Sequence, residues 1–134
     1  MKTINVSAAV IIRKNPLTQK SEVLATQRGY GDYKDWWEFP GGKIESLESP
    51  EDCIVREIRE ELAYDIKPEK TIDVIDYDYP EFHLTMHCIL CTPLSSTLEL
   101  REHENSLWLT KETLRSVKWL PADCLVLNKL EKLL

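Results

Sequence analysis

The run Ser49-Pro50-Glu51-Asp52 is the strongest folding instruction in this chain. Serine can accept a backbone N–H as a cap, proline suits the first helical position, and two acids meet the positive end of the helix dipole. The spacing predicts a helix over residues 50–62. At about 100° per residue, Ile54, Val55, Ile58 and Leu62 fall in one sector, which is the face to bury. The other face carries Glu57, Glu60 and Glu61.

Like charges three and four residues apart cost an isolated helix roughly 0.2 to 0.5 kcal/mol per pair, so something should compensate. Arg56 and Arg59 do so in part, with Arg56 and Glu60 at i,i+4, and a solvated, salt-bridged helix face is one reading. A second comes from the position of the helix just after Gly41-Gly42, the only Gly-Gly pair in the chain. Glycine lets backbone groups approach a ligand closely. Hard divalent cations take oxygen ligands from a few carboxylates, a carbonyl and the phosphates of a substrate.

Net charge favours the second reading. At -6 over 134 residues, the molecule repels a phosphodiester backbone, which argues against long nucleic acid as a partner. A small polyanion can still bind through a cation. The length fits one domain over 1–134. The N-terminal apolar stretch is short and interrupted, so neither a signal peptide nor a membrane span is expected. Four irregularly spaced cysteines fit a reduced, cytoplasmic setting.

The rest of the chain reads mostly as strands. Ile4, Val6, Ala8, Val10 and Ile12 alternate, predicting a strand with one buried side over 4–12. Further strands are expected at 22–27, 71–79, 82–92 and 106–110, with a hairpin turn near Pro80-Glu81. Thr110 is placed to cap a short helix from Lys111, and a closing helix is expected from Pro121. Cys88 and Cys91 form a CxxC on a strand, where odd spacing sends them to opposite faces and argues against zinc. His83 and His87 share a strand face and are read as hydrogen-bonding side chains in preference to a ligand pair.

Gly42, Glu48 and Arg56-Glu57-Ile58-Arg59-Glu60-Glu61 together resemble the Nudix box, G-x5-E-x7-R-E-U-x-E-E-x-G-U with U aliphatic. WEFPGGKIE upstream, YPEFH, REHENSLWL and WLPAD downstream extend the similarity to the MutT and CTP pyrophosphohydrolase branch of that family. Ala63 departs from the pattern's glycine and Tyr64 from its aliphatic, while Leu47 replaces a glycine frequent in the branch. Ala63 puts a left-handed helix stop in question.

The resemblance implies an α/β (α+β) fold, an α/β/α sandwich with a mixed sheet between helices. It implies a Mg²⁺-dependent hydrolase, with Mn²⁺ as a substitute, that converts a nucleoside triphosphate to monophosphate and pyrophosphate as monomer or homodimer. Metal ligands would be Glu57, Glu60, Glu61, Glu102 and the Gly41 carbonyl. Arg56 would orient Glu57 within a network that includes Glu48, and Glu57 or Glu102 would take the proton from water. Arg28, Phe39, Tyr79 and Asp123 would contact substrate. An ionised Asp123 only accepts hydrogen bonds and would favour an amino-bearing base edge, if it does more than cap the last helix. The substrates implied are 8-oxo-dGTP or a cytidine triphosphate, modified forms included. Alternatives are ADP-ribose, a dinucleoside polyphosphate, or a non-catalytic nucleotide-sensing Nudix module.

Overall fold

In the computed structural model, which describes residues 1–134, strand β1 (Lys2–Lys14) is the axis of a seven-stranded mixed sheet. On one side it runs parallel to β6 (Phe82–Pro93), which pairs antiparallel with β5 (Ile66–Asp78). On the other side its two halves meet different partners. Residues 6–8 pair with β4 (Gly41–Lys43), and residues 12–14 with β2 (Ser21–Arg28). β2 in turn pairs with β3 (Trp37–Glu38) and β7 (His103–Leu109).

Helices cover both faces, as the fold class requires. Helix α1 (Pro50–Leu62) has the predicted bounds, and the Ser49 hydroxyl accepts the Asp52 N–H at 3.0 Å. Ile54, Ile58 and Leu62 pack on Ala9, Ile11, Leu24, Ile89 and Cys91. On the opposite face Val10, Val23, Ala25, Met86 and Cys88 meet Ala122, Val126, Leu127 and Leu130. Full burial of Ser7 through Ile11 corrects the expectation of a one-sided first strand. On the second face the buried residues are Ser7, Ala9 and Ile11, of which only Ile11 is large and apolar. Cys88 and Cys91 lie in different cores, both as free thiols.

Three local expectations change. No α-helix starts at Lys111; Thr113 caps Thr110 through its side chain, and a 3-10 turn follows at Leu114–Ser116. The closing helix divides into α2 (Pro121–Cys124) and α3 (Leu127–Glu131), because the N–H groups of Leu125 and Val126 bond three residues back. Ala63 does adopt the left-handed stop, with φ 49°, and its N–H reaches the Arg59 carbonyl. No helix is long and apolar enough to cross a membrane.

Candidate active site

The Gly-Gly pair is dictated by two close approaches. A Cβ on Gly41 would lie 1.9 Å from the Ser7 carbonyl oxygen, so only glycine lets β4 close on β1. A Cβ on Gly42 would lie 2.4 Å from Glu57 Cδ, so this glycine makes room for a carboxylate. Behind them, the Cys53 thiol donates to the Gly42 and Lys43 carbonyls, and the Ser7 hydroxyl to the Pro50 carbonyl. These bonds tie the start of α1 to β4 and to β1.

Arg56 organises the acids around it. Its Nε and Nη2 form a two-pronged pair with Glu48 at 2.7 and 2.9 Å, while Nη1 reaches Glu57 at 2.8 Å and Glu60 at 3.2 Å. The guanidinium holds the Glu48 carboxyl down to about 2 and is itself pushed up. Glu60 is mostly exposed on the Arg56 side and does not line the cavity. Glu57 does not line it either: Arg56 Nη1 holds Glu57 and Glu60 alike, and Glu57 is the one beside Glu61.

Glu61 is the anomaly in α1. It is buried, and its Oε2 has no hydrogen-bond partner. Burial first, then the neighbouring Glu57 and the charges of Glu102 and Glu38, drive its carboxyl far above the ordinary range. An orphaned carboxylate oxygen among three further acids is the environment that a hard cation relieves. No three acid, histidine or cysteine side chains converge into a preformed metal cage. Magnesium does not require one, since it is commonly held by one or two carboxylates, waters and substrate phosphates. The donor set therefore fits.

A cavity of about 790 Å³ is lined by Gly41, Gly42, Glu61 and Glu102 and also by Arg28, Phe39, Tyr79 and Asp123, among others. Seven of the expected site residues, Glu61 among them, thus line one space, while Arg56, Glu57 and Glu60 do not. Phe39 and Tyr79 are also core residues: Phe39 packs on Trp119 at 4.5 Å, and the Tyr79 hydroxyl accepts the Ala122 N–H. The Arg28 guanidinium donates to Glu38 at 2.9 Å.

Asp123 does not cap its helix. Its Oδ2 accepts the Phe39 N–H at 2.9 Å across the cavity floor. Burial, reinforced by the Glu38 charge, pushes its carboxyl up to about 8. The ionised state expected from the sequence is thereby replaced by a mostly neutral carboxyl near pH 7, which can donate as well as accept. The sequence reading missed Glu38 and gave His103 no role of its own. Glu38 is a nearly buried acid between Arg28 and His103, whose Nε2 lies 3.6 Å away and whose Nδ1 is buried without a partner. An acid between Trp37 and Phe39 was the available signal.

Comparison with known proteins identifies the family and the fold. The family model described as NUDIX domain matches residues 3–133. The 8-oxo-dGTP diphosphatase of Proteus vulgaris is 33% identical over 106 residues, covering 78% of this chain and 88% of that one. The CTP pyrophosphohydrolase of Escherichia coli K12 is 30% identical over 123 residues, covering 92% and 87%. The crystal structure of a MutT NUDIX hydrolase from Burkholderia pseudomallei superposes with a TM-score of 0.83 at 22% identity, covering 97% and 99%, and shows the shared fold. Nudix hydrolases generally use divalent cations, which suits the orphaned oxygen of Glu61. With a matching domain over nearly its whole length and a relative 33% identical over most of both chains, the chain belongs to the Nudix hydrolase family.

Proposed function

We propose that this protein, as a single Nudix domain over 1–134, is a Mg²⁺-dependent nucleoside triphosphate pyrophosphohydrolase that releases a nucleoside monophosphate and pyrophosphate. The observation that carries the reading is the buried, unpartnered Glu61 Oε2 in the cavity that Gly41, Gly42 and Glu102 also line. Glu57, Glu61, Glu102 and the Gly41 carbonyl would hold the cation, with Glu60 joining if it leaves Arg56. When bound, a divalent cation neutralises phosphate charge and makes water a better nucleophile.

The residues themselves do the positioning. Arg56 fixes Glu57 against Gly42, with one carboxylate oxygen already committed to the guanidinium and Glu61 beside it. Glu57 or Glu102 accepts the proton from the attacking water. Arg28 and Lys43 line the same cavity and supply cationic donors to an anionic substrate. Phe39 and Tyr79 offer aromatic walls there, and Asp123 reads the base edge.

The substrates best supported are 8-oxo-dGTP and cytidine triphosphates, the subjects of the two relatives' names, carried here by the cavity that Phe39, Tyr79 and Asp123 line together with Glu61. A panel of nucleoside triphosphates, ADP-ribose and dinucleoside polyphosphates, assayed with and without Mg²⁺, tests the proposal. The expected result is metal-dependent pyrophosphate with monophosphate from one of these triphosphates. Phosphate alone, metal-independent turnover, or preference for ADP-ribose overturns it.

A further inference from the structure

The segment that carries Glu102 is also the cap of α1. Leu98 packs against the core under that helix. The Glu99 N–H then donates to the Leu62 carbonyl at 2.8 Å, and the Arg101 N–H to the Glu61 carbonyl at 3.2 Å. The Arg101 Nη1 donates to the Glu60 carbonyl, also at 3.2 Å. These are last-turn carbonyls, which a helix leaves without partners of its own, and a guanidinium suits the negative end of the dipole. Glu102 follows directly. Its backbone is confined from the other side by Gly29, where a Cβ would lie 3.0 Å from the Glu102 carbonyl oxygen and 3.2 Å from Glu104 Cγ.

We infer that Arg101 and Gly29 are positioning residues that clamp Glu102 opposite the acids of α1, one from the helix end and one from the end of β2. The inference rests on the role assigned to Glu102 under Proposed function. Arg101 is half-exposed, and its other ionic neighbour, Glu99, stands at 3.8 Å, a surface contact of small weight for stability. Its effect is therefore on placement. Loss of the guanidinium leaves two backbone bonds in place but frees residue 102 to drift from Glu61, and a displacement of about 1 Å at a reacting centre costs up to roughly 100-fold in rate.

A double-mutant cycle tests this. Wild type, Arg101→Ala, Glu102→Gln and the double variant are compared by kcat for pyrophosphate release with the best nucleotide of the panel. Mn²⁺ affinity of the nucleotide-free protein is measured in parallel by electron paramagnetic resonance. Arg101→Ala is expected to lower kcat and weaken Mn²⁺ binding by about tenfold, in line with other residues that orient metal-binding groups. Arg101→Lys should restore part of both. In the Glu102→Gln background the same alanine substitution should change neither, since residues that act through one another are non-additive. Gly29→Ala should give the same pattern by the other route. Equal losses in both backgrounds overturn the clamp while leaving Glu102 in the site. Wild-type kcat and Mn²⁺ affinity in Glu102→Gln overturn the role of Glu102 and the clamp together.

Discussion

The Glu57 carboxylate fills the space that a side chain on Gly42 would occupy, with 2.4 Å between Glu57 Cδ and the position of a Cβ. Gly42→Ala therefore cannot be absorbed without moving the acid. The expected outcome is a kcat loss on the order of 100-fold from misplacement, with about 1 to 3 kcal/mol of destabilisation from overpacking. Steady-state kinetics and a urea titration on the same variant read both. An alanine variant with wild-type kcat would mean that Glu57 does not act from this position.

Arg56 makes two bonds to Glu48 and one to Glu57, which a lysine ammonium cannot reproduce in the same plane. Arg56→Lys should lower kcat by about 10- to 100-fold, as for other partners that orient metal-binding groups, with nucleotide KM little changed. A rise in KM alone, at constant kcat, would assign Arg56 to substrate binding.

Ala63 ends α1 with φ 49°, a conformation that glycine adopts without steric penalty. Ala63→Gly should raise stability by about 0.5 to 1 kcal/mol, the strain relieved less the entropy added to the unfolded chain. Activity should not change. Leu47, fully exposed at φ 66°, should respond in the same direction. Thermal melting of the two variants checks both.

Asp123 gives a pH signature with a definite sign. Its carboxyl is raised to about 8 by burial and by Glu38, against an ordinary value near 4. Between those values the folded state keeps a proton that the unfolded chain gives up, so the contribution to stability is full below about pH 4 and is lost as pH rises towards 8. The difference in melting temperature between wild type and Asp123→Asn should therefore shift with pH across this window, the wild type losing ground as pH rises. Base selectivity should move too. Ionised Asp123 only accepts hydrogen bonds, so preference for CTP over UTP should grow above pH 8 in wild type and stay flat in Asp123→Asn.

Much of the fold was legible because local chemistry and periodicity agreed. Ser49-Pro50 and the apolar sector of α1 located that helix and its start, and turn residues located the β5–β6 hairpin. β1 was harder: alanines at 8 and 9 face opposite cores, and a two-sided strand reads as one-sided when half its buried positions are small. The last helix looked continuous because its leucines keep helical spacing across a break made by backbone bonding at Leu125 and Val126. At the site, the carboxylates could be named from their spacing, but burial separates Glu61 from Glu60, and helical period alone does not give burial. Glu38 and the orphaned Nδ1 of His103 depend on β2, β3 and β7 meeting, a contact between distant segments.

Glu57 and Glu61 are proposed to hold a divalent cation against a polyphosphate. Calorimetric titration of Mn²⁺ into the protein, with and without a non-hydrolysable nucleoside triphosphate, tests it most directly. Nucleotide should tighten metal binding in the wild type, and the Glu57→Gln, Glu61→Gln double variant should lose the effect. Binding of the same affinity in wild type and double variant, or metal uptake indifferent to nucleotide, would rule out that role for the two acids.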